Sequence, residues 1–187
     1  MSHYIDIHLR PDPECPAHQL MAALYAKLHR VLAKVQASTI AVSFPGSRTV
    51  PTTLGDTLRL IGPKSDLVRL MEHDWLTGMR DHTEVAPVAA VPADAVQRSL
   101  RRVQAKSSPD RLRRRQMRRH GLTEEQARER VPDSAAEWLS LPFVMLSSAS
   151  TGQNFRLYLR LGPAMGSAQA GTFNCYGLST SATTPCF

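Results

Sequence analysis

The sequence predicts an α+β fold. Three observations carry that expectation: short alternating apolar runs of strand length, longer apolar stripes at helical spacing between them, and a charged second half with its own helix and strand signals. "YIDIHLR" (residues 4–10) alternates, with Ile5, Ile7 and Leu9 on one face, and predicts a strand. "PDPECP" is a loop. Residues 16–36 then carry Leu20, Met21, Leu24, Leu28, Val31, Leu32 and Val35 at helical spacing. "TIAVSF" (39–44) predicts a second strand, "RTVPTTLGD" a loop, and "TLRLIG" (57–62) a third strand. Ser65 or Asp66 opens a second helix reaching about Leu76, and "HTEVAPV" predicts a fourth strand. This β-α-β-β-α-β order is the ferredoxin-like arrangement, which hosts many functions and decides none by itself.

"APVAAVPADA" (86–95) is small and proline-broken. It is the expected linker between a domain of residues 1–94 and one of residues 95–187. "VQRSLRRVQ" (96–104) predicts extended chain with Arg98, Arg102 and Gln104 on one face. A helix over 109–120 has both ends marked: Ser108 as N-cap, Pro109 at the first helical position, Asp110 in the first turn and Gly121 just past the end. "TEEQARER" carries a capping box of Thr123 and Gln126, and Pro132 lies beyond it. "PFVMLSS" and "NFRLYLR" predict strands joined through "ASTGQ", and "TFNCYGLS" a last strand.

Composition narrows the function. An apolar content of 42% supports a packed core, while 6% aromatics make extended stacking on single strands an unobvious mode. Residues 1–94 carry nine Lys/Arg against ten Asp/Glu; residues 95–187 carry fourteen against six. The positive charge therefore belongs to the second half. Cys15, Cys175 and Cys186 are odd in number, form no CxxC and have no His at zinc spacing. That argues against a disulfide frame or a structural metal site. No apolar run approaches a membrane span, and a reducing cytoplasm is the expected compartment. No cofactor is expected.

The densest charge is "RLRRRQMRRHG" (111–121), with six arginines and no acid. Arg111, Arg114, Arg115, Arg118 and Arg119 fall at the spacing that normally writes a buried apolar stripe, with Leu112, Arg113, Gln116 and Met117 on the other side. Like charges at i,i+3 and i,i+4 each cost roughly 0.2–0.5 kcal/mol, which a polyanion's phosphates would reverse. The alternative is a solvated face, although such faces usually mix signs.

Taken together, "HYIDIHLRPDPE", "LMAALYAKLHR", "RVQAKSSPDRLRRRQMRRH", "LPFVMLSSASTGQNFRLYLR" and "FNCYGLS" resemble, in order and spacing, the Csy-type repeat-processing endoribonucleases of type I-F CRISPR systems. The resemblance covers essentially the whole chain. It implies an N-terminal ferredoxin-like domain and a C-terminal part whose arginine-rich helix docks on a short RNA hairpin. It implies metal-independent cleavage of precursor crRNA at the 3′ base of the repeat stem by 2′-hydroxyl attack. The protein would be a monomer with RNA, would stay bound to the mature crRNA and would assemble with other Cas proteins of the surveillance complex.

Residue by residue, the resemblance places His29 as the catalytic histidine, either taking the 2′-proton or donating one to the leaving oxygen. Ser148 would fix the ribose 2′-hydroxyl, and Tyr176 would orient His29. Arg102 and Gln104 would read bases, Arg on guanine and Gln on adenine. Phe155 would stack on the pair closing the foot of the stem. Ser107, Ser150 and His120 would join Arg111, Arg114, Arg115, Arg118 and Arg119 in holding RNA. Ser147, Ala149 and Cys186 depart from the family's basic, amide-bearing and aromatic residues. Without the resemblance, His29 reads as a histidine at the edge of an apolar stripe, Tyr176 as a strand aromatic and Phe155 as core. Two other functions fit the charge: a hairpin-RNA-binding module without chemistry, and a duplex-DNA binder using the basic helix.

Overall fold

The computed structural model describes residues 1–104, 109–135, 139–148 and 152–187. The chain forms two compact units, Met1–Val103 with Leu141–Phe187, and Gln104–Ser140. This grouping differs from a division at residue 94. The extended chain after 95 joins the first unit because it pairs there with strands from the C-terminal end.

The first unit opens with β1 (His3–Leu9), α1 (Ala17–Lys34) and β2 (Ala41–Ser43). The expected loop at 48–56 contains a small hairpin, β3 (Arg48–Thr49) and β4 (Thr52–Thr53). β5 (Thr57–Gly62), α2 (Lys64–Met71) and β6 (Thr83–Val85) follow. The sheet order is β2-β5-β1-β6, antiparallel throughout. Helix α2 begins after Pro63 and ends five residues sooner than the apolar spacing suggests. The chain beyond it turns irregularly to bury Trp75, Leu76 and Met79.

Residues 86–95 are only partly a linker. β7 (Ala89–Ala90) pairs with the start of β1, while β6 pairs with its end. Pro87, which lacks an N–H, falls in the gap between the two pieces.

A second sheet of the same unit has the order β10-β11-β9, from β9 (Leu100–Val103), β10 (Phe143–Ser147) and β11 (Asn154–Leu161). β8 (Val96–Arg98) pairs instead with β12 (Thr184–Cys186). The expected last strand at "TFNCYGLS" is not one. Residues 174–177 form a turn, closed by Gly177 N donating to Asn174 O at 2.8 Å, and the final strand is β12. The Asn174 carboxamide accepts from Tyr176 N and Leu178 N, so this segment's backbone donors are satisfied locally rather than by a ladder.

Helix α1 shares one apolar core with both sheets. Leu24, Leu28 and Leu32 belong to the same buried cluster as Ile5, Ile7, Leu58 and Leu60 of the first sheet and Val144, Leu146, Leu157 and Leu159 of the second. The far face of the first sheet packs against the C-terminal segment through Ile61, Phe173 and Ala182. That two-sided cover explains why every residue of β5 is buried.

One charged pair sits in this packing. Arg59 of β5 donates two hydrogen bonds to Asp6 of β1, at 2.7 and 2.8 Å, and a third to the backbone oxygen of Phe187 at 2.9 Å. Its guanidinium also lies 3.9 Å from the Phe187 ring centre and 4.7 Å from that of Tyr4. Removing one partner of a buried pair leaves an uncompensated charge and costs about 3–5 kcal/mol. Arg59→Met should therefore lower the urea midpoint of unfolding, and Asp6→Leu in the same chain should restore part of the loss. An unchanged midpoint in the folded single variant would show that the pair contributes no net stability.

The second unit contains α3 (Pro109–His120) and α4 (Glu124–Arg130). Helix α3 has the bounds its end signals predict, and Gly121 takes the left-handed φ of 62° expected past its end. Ser108 lies outside the described residues. The Thr123–Gln126 capping box opens α4 with both hydrogen bonds made.

Candidate functional site

The site is built from the middle of α1. Tyr25 and His29 are one helical turn apart, so their side chains share a face. Both reach the 174–177 turn. Tyr25 donates its hydroxyl to Tyr176 O at 2.7 Å, and His29 Nδ1 lies 2.9 Å from Cys175 O. A carbonyl only accepts, so Nδ1 carries the hydrogen and the neutral ring keeps its lone pair on Nε2.

The rings are layered as well. His29 stacks on Tyr176 with centroids 3.9 Å apart and planes 2° from parallel, and Tyr25 also stacks on Tyr176, at 6.5 Å. Gly177 lets the turn approach this closely. Its φ is 67°, and an added Cβ would lie 2.6 Å from Val42 Cγ1. Gly177 O in turn accepts from Val42 N at 3.0 Å, tying the turn to β2.

Burial of Tyr25 raises its phenol well above the ordinary 10.0. Tyr176 is also raised, mainly by burial and secondarily by Cys175, with Arg102 opposing the shift. Both phenols therefore stay protonated through neutral pH.

His29 opens onto a groove of about 700 Å³ lined by Ala26, Arg30, Arg102, Leu146, Ser147, Ser148, Phe155 and Tyr176 as well as itself. Ser148 sits where β10 ends. Its N–H donates to Gln153 O at 2.9 Å, and its carbonyl accepts from Gly152 N at 2.8 Å. Arg102 of β9 is exposed, with its guanidinium 5.5 Å from the Phe155 ring centre. Phe155 is only half-buried. Leu157 and Leu159 on its strand are core, but the alternation stops short of Phe155, whose ring reaches the groove.

The structure thus brings five of the expected residues together: His29, Ser148, Tyr176, Arg102 and Phe155. Gln104 does not continue the strand, because β9 ends at Val103; it is exposed and belongs to the second unit. Ser107 and Ser150 lie outside the described residues. Tyr25 and Arg30 escaped the sequence reading. The i,i+4 spacing of Tyr25 and His29 is a visible signal, but Tyr25 also fits the apolar stripe of α1, which hides its hydroxyl's task.

In the second unit, Arg111, Arg114, Arg115, Arg118 and Arg119 are exposed and line one surface of α3, and His120 is exposed beside them. Arg113 is different. Its side chain is 11% exposed, donating to Val131 O at 2.8 Å and Asp133 at 2.6 Å, with Asp110 at 3.4 Å. Among the described residues, no three His, Cys, Asp or Glu are grouped to hold a metal ion, and no helix is long and apolar enough to cross a membrane.

An oriented imidazole, a hydroxyl and a guanidinium around one groove define a class: a protein equipped for acid–base chemistry on an anionic substrate. Similarity to known proteins makes the class specific. Residues 4–187 match the family described as "CRISPR-associated protein (Cas_Csy4)". A CRISPR-associated endonuclease Cas6/Csy4 of Pseudomonas aeruginosa (strain UCBPP-PA14) is 50% identical over 187 residues, covering all of both chains. Its namesake from Escherichia coli (strain UTI89 / UPEC) is 43% identical over the same full length. Among solved structures, one described as "An RAMP protein binding different RNA substrates" covers 98% of this chain and 99% of its own, at 11% identity and a TM-score of 0.35, a likeness too distant to inform the site. The chain belongs to the Cas_Csy4 family and is an enzyme of its endonuclease class.

The ring geometry has a direct spectroscopic test. Nitrogen NMR of ¹⁵N-histidine protein should show the neutral ring of His29 protonated at Nδ1 and bare at Nε2. A neutral ring protonated at Nε2 would contradict the Cys175 contact.

Proposed function

We propose that this protein binds the stem-loop of CRISPR repeat RNA and cuts precursor crRNA at the 3′ base of the stem without a metal ion. The observation that carries the reading is His29, held by Cys175 O at Nδ1 and stacked on the Tyr176 ring, on the groove that Ser148 also lines. The family's endonuclease relatives support the cutting activity, and the arginine surface of α3 supports a polyanionic substrate. In this reading the β-α-β-β-α-β part of the first unit is a ferredoxin-like scaffold.

RNA supplies its own nucleophile. The 2′-oxygen attacks the adjacent phosphorus, the bond to the 5′-oxygen breaks, and the products carry a 2′,3′-cyclic phosphate (or the 3′-phosphate from its opening) and a 5′-hydroxyl. Ser148 holds the 2′-hydroxyl in line. The bare Nε2 of neutral His29 suits removal of the 2′-proton, and the protonated ring can serve the leaving oxygen. Tyr176 is a positioning residue, acting through its ring rather than its hydroxyl. Phe155 stacks on the pair at the foot of the stem, with Arg102 reading guanine beside it. Gln104, Ser107, His120 and Ser150 remain proposed RNA contacts, and other Cas proteins remain proposed partners.

The direct experiment uses labelled repeat hairpin with excess EDTA. Cleavage should persist, and replacing the 2′-hydroxyl at the cut by hydrogen should abolish it while leaving binding intact. Cleavage of the deoxy substrate would sink the mechanism. His29→Ala and Ser148→Ala should each bind the hairpin within about threefold of wild type, under ~0.7 kcal/mol. Their single-turnover cleavage should fall at least about a hundredfold. Tyr176→Phe should cut nearly normally and Tyr176→Ala poorly; equal loss in both would assign the role to the hydroxyl.

Affinity has a separate test. Neutralising Arg115, Arg118 and Arg119 should weaken hairpin binding. It should also flatten the salt dependence by about 0.7–0.9 log unit for each phosphate that the variant no longer neutralises. An unchanged slope in the folded triple variant would show that the stripe faces water. Because a cut stem is still a stem, the protein keeps its grip after cleavage. Product should stay bound, and rapid multiple turnover with excess RNA would contradict that.

A further inference from the structure

Two arginines, Arg30 and Arg102, line the groove of His29, and the reaction proposed above uses only the second. Arg102 has its guanidinium 5.5 Å from the Phe155 ring centre, at the end assigned to the foot of the stem. Arg30 comes from α1, the helix that carries His29 itself. Ala26, His29 and Arg30 fall at i, i+3 and i+4, so one face of that helix brings both the imidazole and a cation to the groove.

Within the protein this cation is left over. Arg30 is exposed, and its guanidinium makes no hydrogen bond or ion pair among the described residues. No Asp or Glu is among the described residues that line the groove. Arg59 and Arg113, by contrast, are each bound to a carboxylate. The neighbouring cations of α1 are differently placed. Lys27 donates to Thr77 O at 2.6 Å, and Lys34, one turn beyond Arg30, lines an adjoining trough but not the groove. Of these three, only Arg30 reaches the groove of His29.

We infer, resting on the reading of this protein as an RNA-cutting enzyme, that Arg30 grips the non-bridging oxygens of the scissile phosphate. With the 2′-hydroxyl held at Ser148 and its proton moved at His29, the reacting phosphorus lies in the groove that all three side chains line. Two of its oxygens take no part in the bonds made and broken. A planar guanidinium matches such a pair with two parallel N–H donors. Held in that way, the phosphate keeps its 5′-oxygen opposite the attacking 2′-oxygen. The contact also strengthens as the reaction proceeds, because the five-coordinate phosphorus carries an added negative charge on those same oxygens. Arg30 donates hydrogen bonds throughout and transfers no proton, since a guanidinium does not deprotonate in proteins.

The test separates cutting from binding, in excess EDTA, on the repeat hairpin and on its 2′-deoxy version. Arg30→Met keeps the aliphatic stem and removes the charge. It should bind the deoxy hairpin within about threefold of wild type, because the grip matters most in the transition state. It should cut the cleavable hairpin at least about tenfold more slowly in a single turnover. Lys34→Ala removes a cation one turn away, outside the groove, and should cut at the wild-type rate. Sulfur in place of a non-bridging oxygen gives a readout that mere packing would not move. Wild type should cut at least one phosphorothioate diastereomer about tenfold more slowly than the oxygen parent, roughly the loss of one charge-assisted hydrogen bond. In Arg30→Met that penalty should shrink to under about threefold. Wild-type cutting by Arg30→Met would overturn the inference, as would an equal loss in Lys34→Ala. So would a sulfur penalty undiminished in Arg30→Met, or a loss of binding that accounts for the whole loss of cutting. If wild type itself fails to cut the oxygen hairpin, the RNA-cutting reading falls, whatever Arg30 does.

Discussion

Two adjacent carbonyls, on Cys175 and Tyr176, are the points on which the site depends. Each accepts a hydrogen bond from α1, one from His29 and one from the buried hydroxyl of Tyr25. Neither donor would be in place if α1 could slide, and it cannot. Its leucines are packed against two sheets at once, in interiors where a shift of one methylene is felt. The turn is held just as firmly, by the Asn174 side chain, by Val42 and by the close approach that Gly177 allows. A ring fixed by stacking and by one hydrogen bond keeps its tautomer and its aim, the two properties that proton transfer requires.

The arginines show how one residue type divides by environment. On α3, Arg113 turns inward to a carbonyl and two carboxylates and acts as a brace for its unit. Its five neighbours on the opposite face are exposed and lie along a single surface. Arg59 is a third case, sunk in the first unit between Asp6 and two aromatic rings. Positive charge in this chain is therefore not one feature. Part of it is structural and satisfied, and part, on the outer face of α3, is exposed.

Sequence carried much of this. The apolar alternation of β1, the stripe of α1, the bounds of α3 and the capping box of α4 follow from spacing and end chemistry, which are local properties. What escaped it was set by partners distant in the chain. "TFNCYGLS" has the composition of a strand, but Asn174 and Gly177 spend their backbone on a turn that meets α1 and β2. Residues 86–95 look like a linker, yet Ala89 and Ala90 find an open edge on β1. Phe155 alternates like core and does pack against it, but it stays half-buried and also lines the groove. For the site, His29, Ser148 and Tyr176 came from a family resemblance rather than from any local rule. Geometry adds what the resemblance lacks: a reason why each could act, and the Tyr25 phenol that holds the same turn.

In the proposed reaction, the division of labour explains why so few groups would suffice at His29. In a 2′-hydroxyl attack the substrate brings the nucleophile, held on the ribose carbon adjacent to the one that bears the phosphate, so no protein side chain needs activation as a nucleophile. What remains is in-line alignment and proton movement, and alignment alone can account for a large share of a barrier. Alignment is supplied by whatever grips the RNA on each side of the bond, which places the demand on binding surfaces rather than on the catalytic group. A single imidazole beside a hydroxyl is then enough, provided that it cannot turn. The ring stack, the buried phenol of Tyr25 and the left-handed Gly177 all serve that one condition.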